Sequence, residues 1–535
     1  VWLSMNKSLA NDTKRDVAAL FGDPHLVMEY EGGKKSEKSL GKNEGILFAT
    51  YSTLAKGFEN DGSNFKKIVD WLGKDFDGVI VFDEAHKMGN ASDQKGKRGK
   101  KSASQTGLAG IALQEALPKA KVVYSSATGA TEVSNLRYAE RLGLWGEGTA
   151  FKNGDDFVSQ ITSGGLAAME LVARDMKAMG VYLSRNISYD DVQYERLEHK
   201  LNKDQKEIYD TVADAWQIVL QNVNKALEAT NQTKDGKARG SAMSAFWSGE
   251  QRFFNQILTS MQIPSVITDI EKQLADGKSV VIQLVSTNEA AQEADIARVK
   301  NEGLGLEDVD ITPRQILMDF VDKSFPVEQY ETYKDDNGNE RSRKVLDSSG
   351  KPVLNRDAVK LRDELLDKLG SIKVPSSPLD MIIDHFGVDM VAESTGRTRR
   401  IITRDGKKVE ENIANKRDAD IAAFQNGDKR IIIFSKAGGT GKSYHADRAA
   451  KNQQQRVHYL LEAGWKADDA VQGFGRSHRS NQASAPIFKL VTTDLSGQKR
   501  FISTIARRLG QLGALTKGQS QTGGQGMFSA EDNLE

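Results

Sequence analysis

The stretch Val79–Ile80–Val81–Phe82–Asp83–Glu84–Ala85–His86 decides the fold. An unbroken apolar run leads straight into two carboxylates. Such a run, bounded by polar residues, is the pattern of a strand buried on both faces of a parallel sheet. Where that strand ends the chain leaves the sheet, so Asp83 and Glu84 stand at the edge where parallel α/β sheets take their ligands. Asp83 suits a Mg2+ ligand acting through water, because Mg2+ keeps much of its hydration shell. Glu84 is placed to orient or deprotonate an attacking water. His86 completes this catalytic set.

The surrounding sequence repeats the alternation. Val1–Trp2–Leu3–Ser4 reads as a strand already under way, and Asp16–Leu20 as part of a helix. Ile46–Ala49 and Val122–Ser125 are further strands, and Leu108–Leu117 is a helix by its apolar spacing. Phe157–Met179 and Lys203–Leu227 read as helices, and Asn231–Ser241 as a polar loop. A second alternating region comprises Ser279–Val285, Met390–Glu393, Ile431–Ser435, Val457–Leu461 and Phe488–Thr492, closed by a helix at Gln498–Leu512. The charged, turn-rich segment from Gly303 to Ser377 reads as an insertion, and the Gly/Gln/Ser-rich tail from Lys517 as disordered. The expected fold class is α/β, with two parallel-sheet lobes, a helical linker and an insertion in the second lobe. The boundaries are 1–150 for the first lobe, 151–265 for the helical linker region, 266–516 for the second lobe with its insertion at about 303–377, and 517–535 for the tail.

Composition narrows the chemistry. The 535 residues include no cysteine, which removes disulfides, thiolate-bound zinc and thiol catalysis and fits a reducing compartment. Lys+Arg and Asp+Glu are both 74, so any nucleic-acid surface must be local. No apolar run approaches a membrane span, and no signal peptide is evident, so a cytoplasmic or, in a eukaryote, nuclear protein is expected.

Several motifs stand at matching places. Ser126–Ala127–Thr128 follows the strand Val122–Ser125 and resembles the tripeptide that in helicases couples the nucleotide site to a nucleic-acid track. Thr50 and Tyr51 follow Ile46–Ala49, where hydroxyls and backbone N–H groups could hold phosphates; a plain strand-end turn reads equally well there. Gln472–Gly473–Phe474–Gly475–Arg476–Ser477–His478–Arg479 carries Gln472 and Arg476 toward a cleft, and Arg479 as an arginine finger whose planar fork would bind transition-state phosphoryl oxygens. Gly438–Gly439–Thr440–Gly441–Lys442–Ser443 ends like a phosphate-binding loop, but Lys436 holds the position where a full loop needs glycine. It is read as a Gly-rich turn of the second lobe, with Gly439, Thr440, Gly441 and Ser443 touching nucleotide, rather than as the principal phosphate cradle. The basic runs Lys95–Lys101 and Arg397, Arg399, Arg400 and Arg404 could meet nucleic-acid phosphates; Arg397 is the candidate from the second, and the first reads better as a solvated loop.

These motifs resemble those of superfamily 2 helicases, with Asp83–His86 as a DEAH box and Gln472–Arg479 as motif VI. The likeness extends further. Asp83–Lys87, Val122–Ala130, Arg141–Gly146, His445–Gln453 and Gln472–Gln482 resemble the Strawberry notch helicase-like proteins, across most of Val1–Gly518 except the insertion. The absence of cysteine points to a phage or bacterial branch. The resemblance implies that the two lobes are RecA-like and of P-loop NTPase type, and it implies an ATP-dependent nucleic-acid motor or remodeller, an ATP hydrolase with ATP and Mg2+ bound between the two lobes, and nucleic acid, expected to be DNA, as its partner. It also implies a possible upstream fused domain, methyltransferase-like in some members. A first-lobe P-loop is expected upstream of Val1, and without it the chain alone is expected to bind ATP weakly. Two rivals stay open: a catalytically inactive helicase-like scaffold or transcription/antirestriction accessory protein, and a P-loop kinase or transporter-type ATPase built on Lys442.

Overall fold

The computed structural model describes residues 1–498, apart from 8, 34–39, 42–43, 90, 92–93, 97–98, 102, 127–132, 184–190, 232–235, 288, 310–311, 335–339, 405, 437–440, 463–466 and 497. The chain divides into two compact units, one built on Val1–Asp191 and one on Val192 onward, with residues up to Gln472 of a late helix grouped with the first.

The first unit starts with β1 (Trp2–Ser4), α1 (Leu9–Phe21), β2 (Val27–Tyr30) and β3 (Ile46–Thr50), then α2 (Tyr51–Ala55), α3 (Asn64–Leu72) and β4 (Val79–Asp83). A short hairpin of β5 (Gln94–Gly96) and β6 (Gly99–Lys101) precedes α4 (Gln105–Ala116), β7 (Lys121–Ser125) and α5 (Gly154–Ala178). The main sheet is parallel with order β2-β3-β1-β4-β7. Its core gathers Leu3, Leu47, Ile80 and Phe82 with Ile68 and Leu113 from the covering helices. The helix starts are written in the sequence: Ser63 caps α3 through Lys66 N–H, and Ser104 caps α4 through Gly107 N–H. Gly110 lets α4 approach the segment after β4, since a Cβ there would lie 2.3 Å from Met88 Sδ.

The second unit runs β8 (Gln193–His199), α6 (Lys203–Ala229), α7 (Gly236–Ala275), β9 (Ser279–Leu284), α8 (Glu289–Asn301) and α9 (Arg314–Ser324). It continues with the hairpin β10 (Tyr330–Lys334) and β11 (Glu340–Lys344), α10 (Arg356–Leu369), α11 (Pro378–Phe386) and β12 (Val391–Ser394). A second hairpin, β13 (Arg399–Arg404) and β14 (Lys407–Asn412), is followed by α12 (Arg417–Asn426), β15 (Ile431–Ser435), β16 (Arg456–Leu460), α13 (Ala467–Ser477) and β17 (Ile487–Thr493). The sheet is again parallel, with order β12-β15-β9-β16-β17-β8. β9, β15, β16 and β17 are buried throughout, as strands covered on both faces should be.

Two departures from the sequence reading concern the middle of the chain. Within 151–265, α5 falls in the first unit, whereas the unforeseen strand β8, then α6 and most of α7, fall in the second. β8 was hidden because Gln193–Tyr194–Glu195–Arg196–Leu197–Glu198–His199 is charged, as a sheet-edge strand can afford to be. The loop expected at Asn231–Ser241 is helix from Gly236, the start of the 40-residue α7. The insertion is also more ordered than its turn-rich sequence suggests. Its α9 and α10 join α6 and α7 around Trp216, Phe246, Phe253 and Phe320. α7 carries Pro264 in its interior, at the junction where Phe253, Ile257 and Met261 of this helical core give way to Ile263, Val266 and Ile270 beneath the sheet. The closing helix and the tail lie outside the described residues. Among the described residues no helix is long and apolar enough to cross a membrane.

Candidate nucleotide site

The Asp83–Glu84 turn in the first unit is held from several sides. Ser4 ends β1, the strand beside β4, and its hydroxyl is fully buried at the same sheet edge. Ser4 Oγ donates to Asp83 Oδ2 at 2.8 Å, and Glu84 N–H donates to Oδ1 at 3.1 Å. The two bonds fix the plane of the carboxylate. Tyr51, in the first turn of α2, donates its hydroxyl to the Asp83 carbonyl at 2.8 Å. Burial, then the Asp83 charge, push the Tyr51 phenol above its ordinary range, so it stays a neutral donor. Glu84 has φ 52° and ψ 43°, in the left-handed region. For a residue with a Cβ this costs on the order of 1–3 kcal/mol, offset by surroundings that over-determine the turn.

His86 stands next in the chain. Its Nδ1 lies 3.0 Å from Ser126 Oγ and 3.3 Å from Glu84 Oε2. Gln472 of α13 is grouped with this unit, and its Nε2 lies 3.3 Å from His86 Nε2. Gln472 can only donate there, so the contact fits a His86 that carries its proton on Nδ1 and shares it with Ser126 or Glu84. The structure therefore brings Asp83, Glu84, His86, Ser126 and Gln472 together. Ala127 and Thr128 lie outside the described residues. The donor set at this sheet edge is the oriented Asp83 carboxylate. That fits a cation such as Mg2+, which is held through one or two carboxylates plus water and phosphate.

In the second unit, Arg476 and Arg479 sit half-buried at and just beyond the end of α13. Arg476 Nη1 donates to the Lys442 carbonyl at 3.3 Å, and Arg479 Nε donates to the Gly475 carbonyl at 2.9 Å. Gly473 lets α13 lie on β9: a Cβ there would fall 1.9 Å from Gln283 Oε1. The Lys442 side chain bonds Asp418 at 2.8 Å. The Ser443 carbonyl accepts from Gln425 Nε2 at 3.0 Å, and Gly441 has φ 75°. Gly439 and Thr440 lie outside the described residues.

Two expected nucleic-acid contacts are corrected. Tyr51 is 4% exposed and spends its hydroxyl on Asp83, so it supports the carboxylate turn rather than a phosphate. Thr50 beside it caps α2 by accepting from Thr53 N–H. Arg397 is 1% exposed and bonds Asp380 at 2.6 Å and Glu393 at 2.9 Å. Burial alone would lower its pKa, but the two carboxylates outweigh that and raise it. It is an interior ion-pair residue. Ser4 was missed by the sequence reading. The available signal was a hydroxyl at the end of a strand, visible as relevant only once β1 and β4 are known to be neighbours.

Comparison with known proteins places the chain. Residues 1–211 match the family described as P-loop containing NTP hydrolase pore-1, and residues 377–535 match the C-terminal domain on Strawberry notch homologue. The rat protein strawberry notch homolog 1 is 33% identical over 97% of this chain and 46% of its own length. The chain belongs to the Strawberry notch family. The Arabidopsis thaliana relative, Protein FORGETTER 1, is 31% identical over 98% of this chain and 49% of its own length. The chain thus spans about half the length of these Strawberry notch relatives. Among solved structures, the Sulfolobus solfataricus SWI2/SNF2 ATPase core in complex with dsDNA aligns over 97% of this chain and 82% of its own, with 14% identity and a TM-score of 0.28.

Proposed function

We propose that the protein is an ATP-dependent nucleic-acid translocase or remodeller of the superfamily 2 type, acting on DNA. The reading rests chiefly on the Asp83–Glu84 turn, where one carboxylate is fixed by two donors and the next is held in a left-handed conformation. Asp83 would hold Mg2+ through water, and Glu84 would orient and deprotonate the attacking water. Bound Mg2+ supplies charge neutralisation at the β- and γ-phosphate oxygens. Arg476 and Arg479 would bind phosphate oxygens, where an always-charged planar fork is suited to the spread charge of the transition state. His86, Ser126 and Gln472 would pass the state of this site to the nucleic-acid track. Lys436, standing where a full phosphate-binding loop needs glycine, supports a role for Gly441–Ser443 other than principal phosphate cradle.

A steady-state ATPase assay on the full-length protein, with and without DNA, tests the reading. DNA-stimulated turnover should fall by at least about a hundredfold with Glu84→Gln, the size of a general-base contribution, and fall strongly with Arg479→Ala. Full turnover by Glu84→Gln would overturn the assignment.

A further inference from the structure

The β13–β14 hairpin leaves the second unit's sheet just after the C-terminal end of β12, the edge where parallel sheets bind ligands. β15, paired to β12 with Ser394 opposite Phe434, ends on the same edge and leads to Gly441 and Lys442. The base of the hairpin is rigidly seated. Ile401 and Ile402 are buried, and Arg400 bonds Glu411 across the strands at 2.7 Å and Glu393 at 3.4 Å. Arg399 is matched by Glu410 at 2.9 Å and Glu293 at 3.3 Å, while Lys300 also reaches Glu410 at 2.7 Å.

The tip breaks this pattern. Arg404 and Lys407 face each other directly across the ladder, and both are exposed. Cross-strand neighbours have Cβ atoms about 4.5–5.5 Å apart, and like charges so placed repel. Among the described residues neither forms an ion pair with a carboxylate. Asp405, which lies outside the described residues, is the one carboxylate of the turn, against Arg404, Lys407 and Lys408. A hairpin that neutralises every arginine at its base and concentrates cations at its tip is arranged for an external polyanion.

We propose that the β13–β14 tip binds the phosphate backbone of nucleic acid through Arg404 and Lys407. This rests on the reading of the protein as a nucleic-acid motor and names a contact within it. The buried Arg397, Asp380 and Glu393 beneath the hairpin hold the tip in place rather than touching the ligand.

The test is the affinity of the full-length protein for a fluorescein-labelled oligonucleotide, single-stranded and duplex, measured by anisotropy at several salt concentrations. Each phosphate contact contributes about 0.7–0.9 to the slope of log K against log salt. Arg404→Ala/Lys407→Ala should therefore flatten the slope by about 1.4–1.8 and weaken binding about fortyfold at 0.1 M salt. The melting curve should not move, since neither side chain is packed. Lys360→Ala, an exposed cation on the insertion helix α10, serves as control and should leave the slope unchanged. An unchanged slope in the double variant, or a loss of affinity without a change of slope, would overturn the proposal while leaving the motor reading intact. Absence of salt-dependent binding by the unaltered protein would overturn both.

Discussion

Ser4→Ala is the sharpest single test of the candidate nucleotide site. The substitution removes one oxygen from a fully buried position and leaves the strand, the Asp83 backbone and Glu84 N–H in place. A hydrogen bond to a charged group contributes about 1.5–3 kcal/mol, or a factor of about 10–150 in an equilibrium constant. Asp83 is half-buried, so water can replace part of the lost bond, and the lower end applies. With Oδ1 alone restrained, the carboxylate rotates about its Cβ–Cγ bond and samples orientations that do not face bound Mg2+. The expected result is an Mg2+ requirement raised about tenfold, with ATP affinity in the absence of Mg2+ unchanged. Fluorescent mant-ATP binding, titrated with Mg2+ and compared with the Mg2+ dependence of turnover, reads both quantities. Tyr51→Phe provides an independent arm, since it frees the Asp83 carbonyl instead of the carboxylate and acts on the Glu84 turn. An Mg2+ titration of Ser4→Ala that overlays the unaltered protein, or that shifts to lower Mg2+, refutes the argument that Ser4 orients the metal-binding oxygen.

Lys442→Ala should lower ATPase less than Glu84→Gln, because Lys436 stands where a full phosphate-binding loop needs glycine; loss of all ATP binding in Lys442→Ala would instead make it the phosphate lysine. Arg397→Met should cost about 3–5 kcal/mol of stability in urea unfolding, because it takes the cation from buried Asp380 and leaves Glu393 paired with Arg400 alone among the described residues. A surface-like cost under 1 kcal/mol would contradict the buried network. His458 is fully buried among Phe434, Phe474 and Phe488, and burial lowers its pKa to about 3. Its unfolded form protonates near pH 6.5 while the folded form stays neutral, so stability is lost as pH falls below 6.5. Between pH 6.5 and pH 5 this group should remove about 1.6 kcal/mol. His458→Phe should show a correspondingly shallower acid dependence in urea melts at the two pH values.

The parts of the fold legible in the sequence were those where one physical requirement dominates. Ile431–Ser435 is buried throughout, and Val79–Asp83 buries Ile80 and Phe82 in the core while Val79 is exposed; in both, the apolar run coincides closely with the observed strand. β8 was illegible because an edge strand needs no such run, and its pairing with β17 joins residues far apart in sequence. The start of α7 was read as a loop because it is polar and carries Gly236 and Gly240, whereas the tertiary core that holds it as helix begins at Phe246. For the candidate site, a carboxylate at a strand end was readable from order alone. The burial of Tyr51 and Arg397 was not, because a tyrosine or an arginine in a polar stretch has the same sequence signature whether it faces solvent or an interior carboxylate.

Pro264 has a consequence for how the second unit opens. A proline inside a helix removes one rung of the backbone ladder, so the two halves of α7 are mechanically weakest where they join. The N-terminal half is pinned by the insertion helices and the C-terminal half by the sheet, and among the described residues those two cores share no apolar side chain. Amide exchange along this one helix should therefore divide at Pro264, each half exchanging at the rate of the block to which it is fastened. The insertion layer could then loosen as its own cooperative element while the sheet stays closed, with α7 serving as an axle that both blocks share.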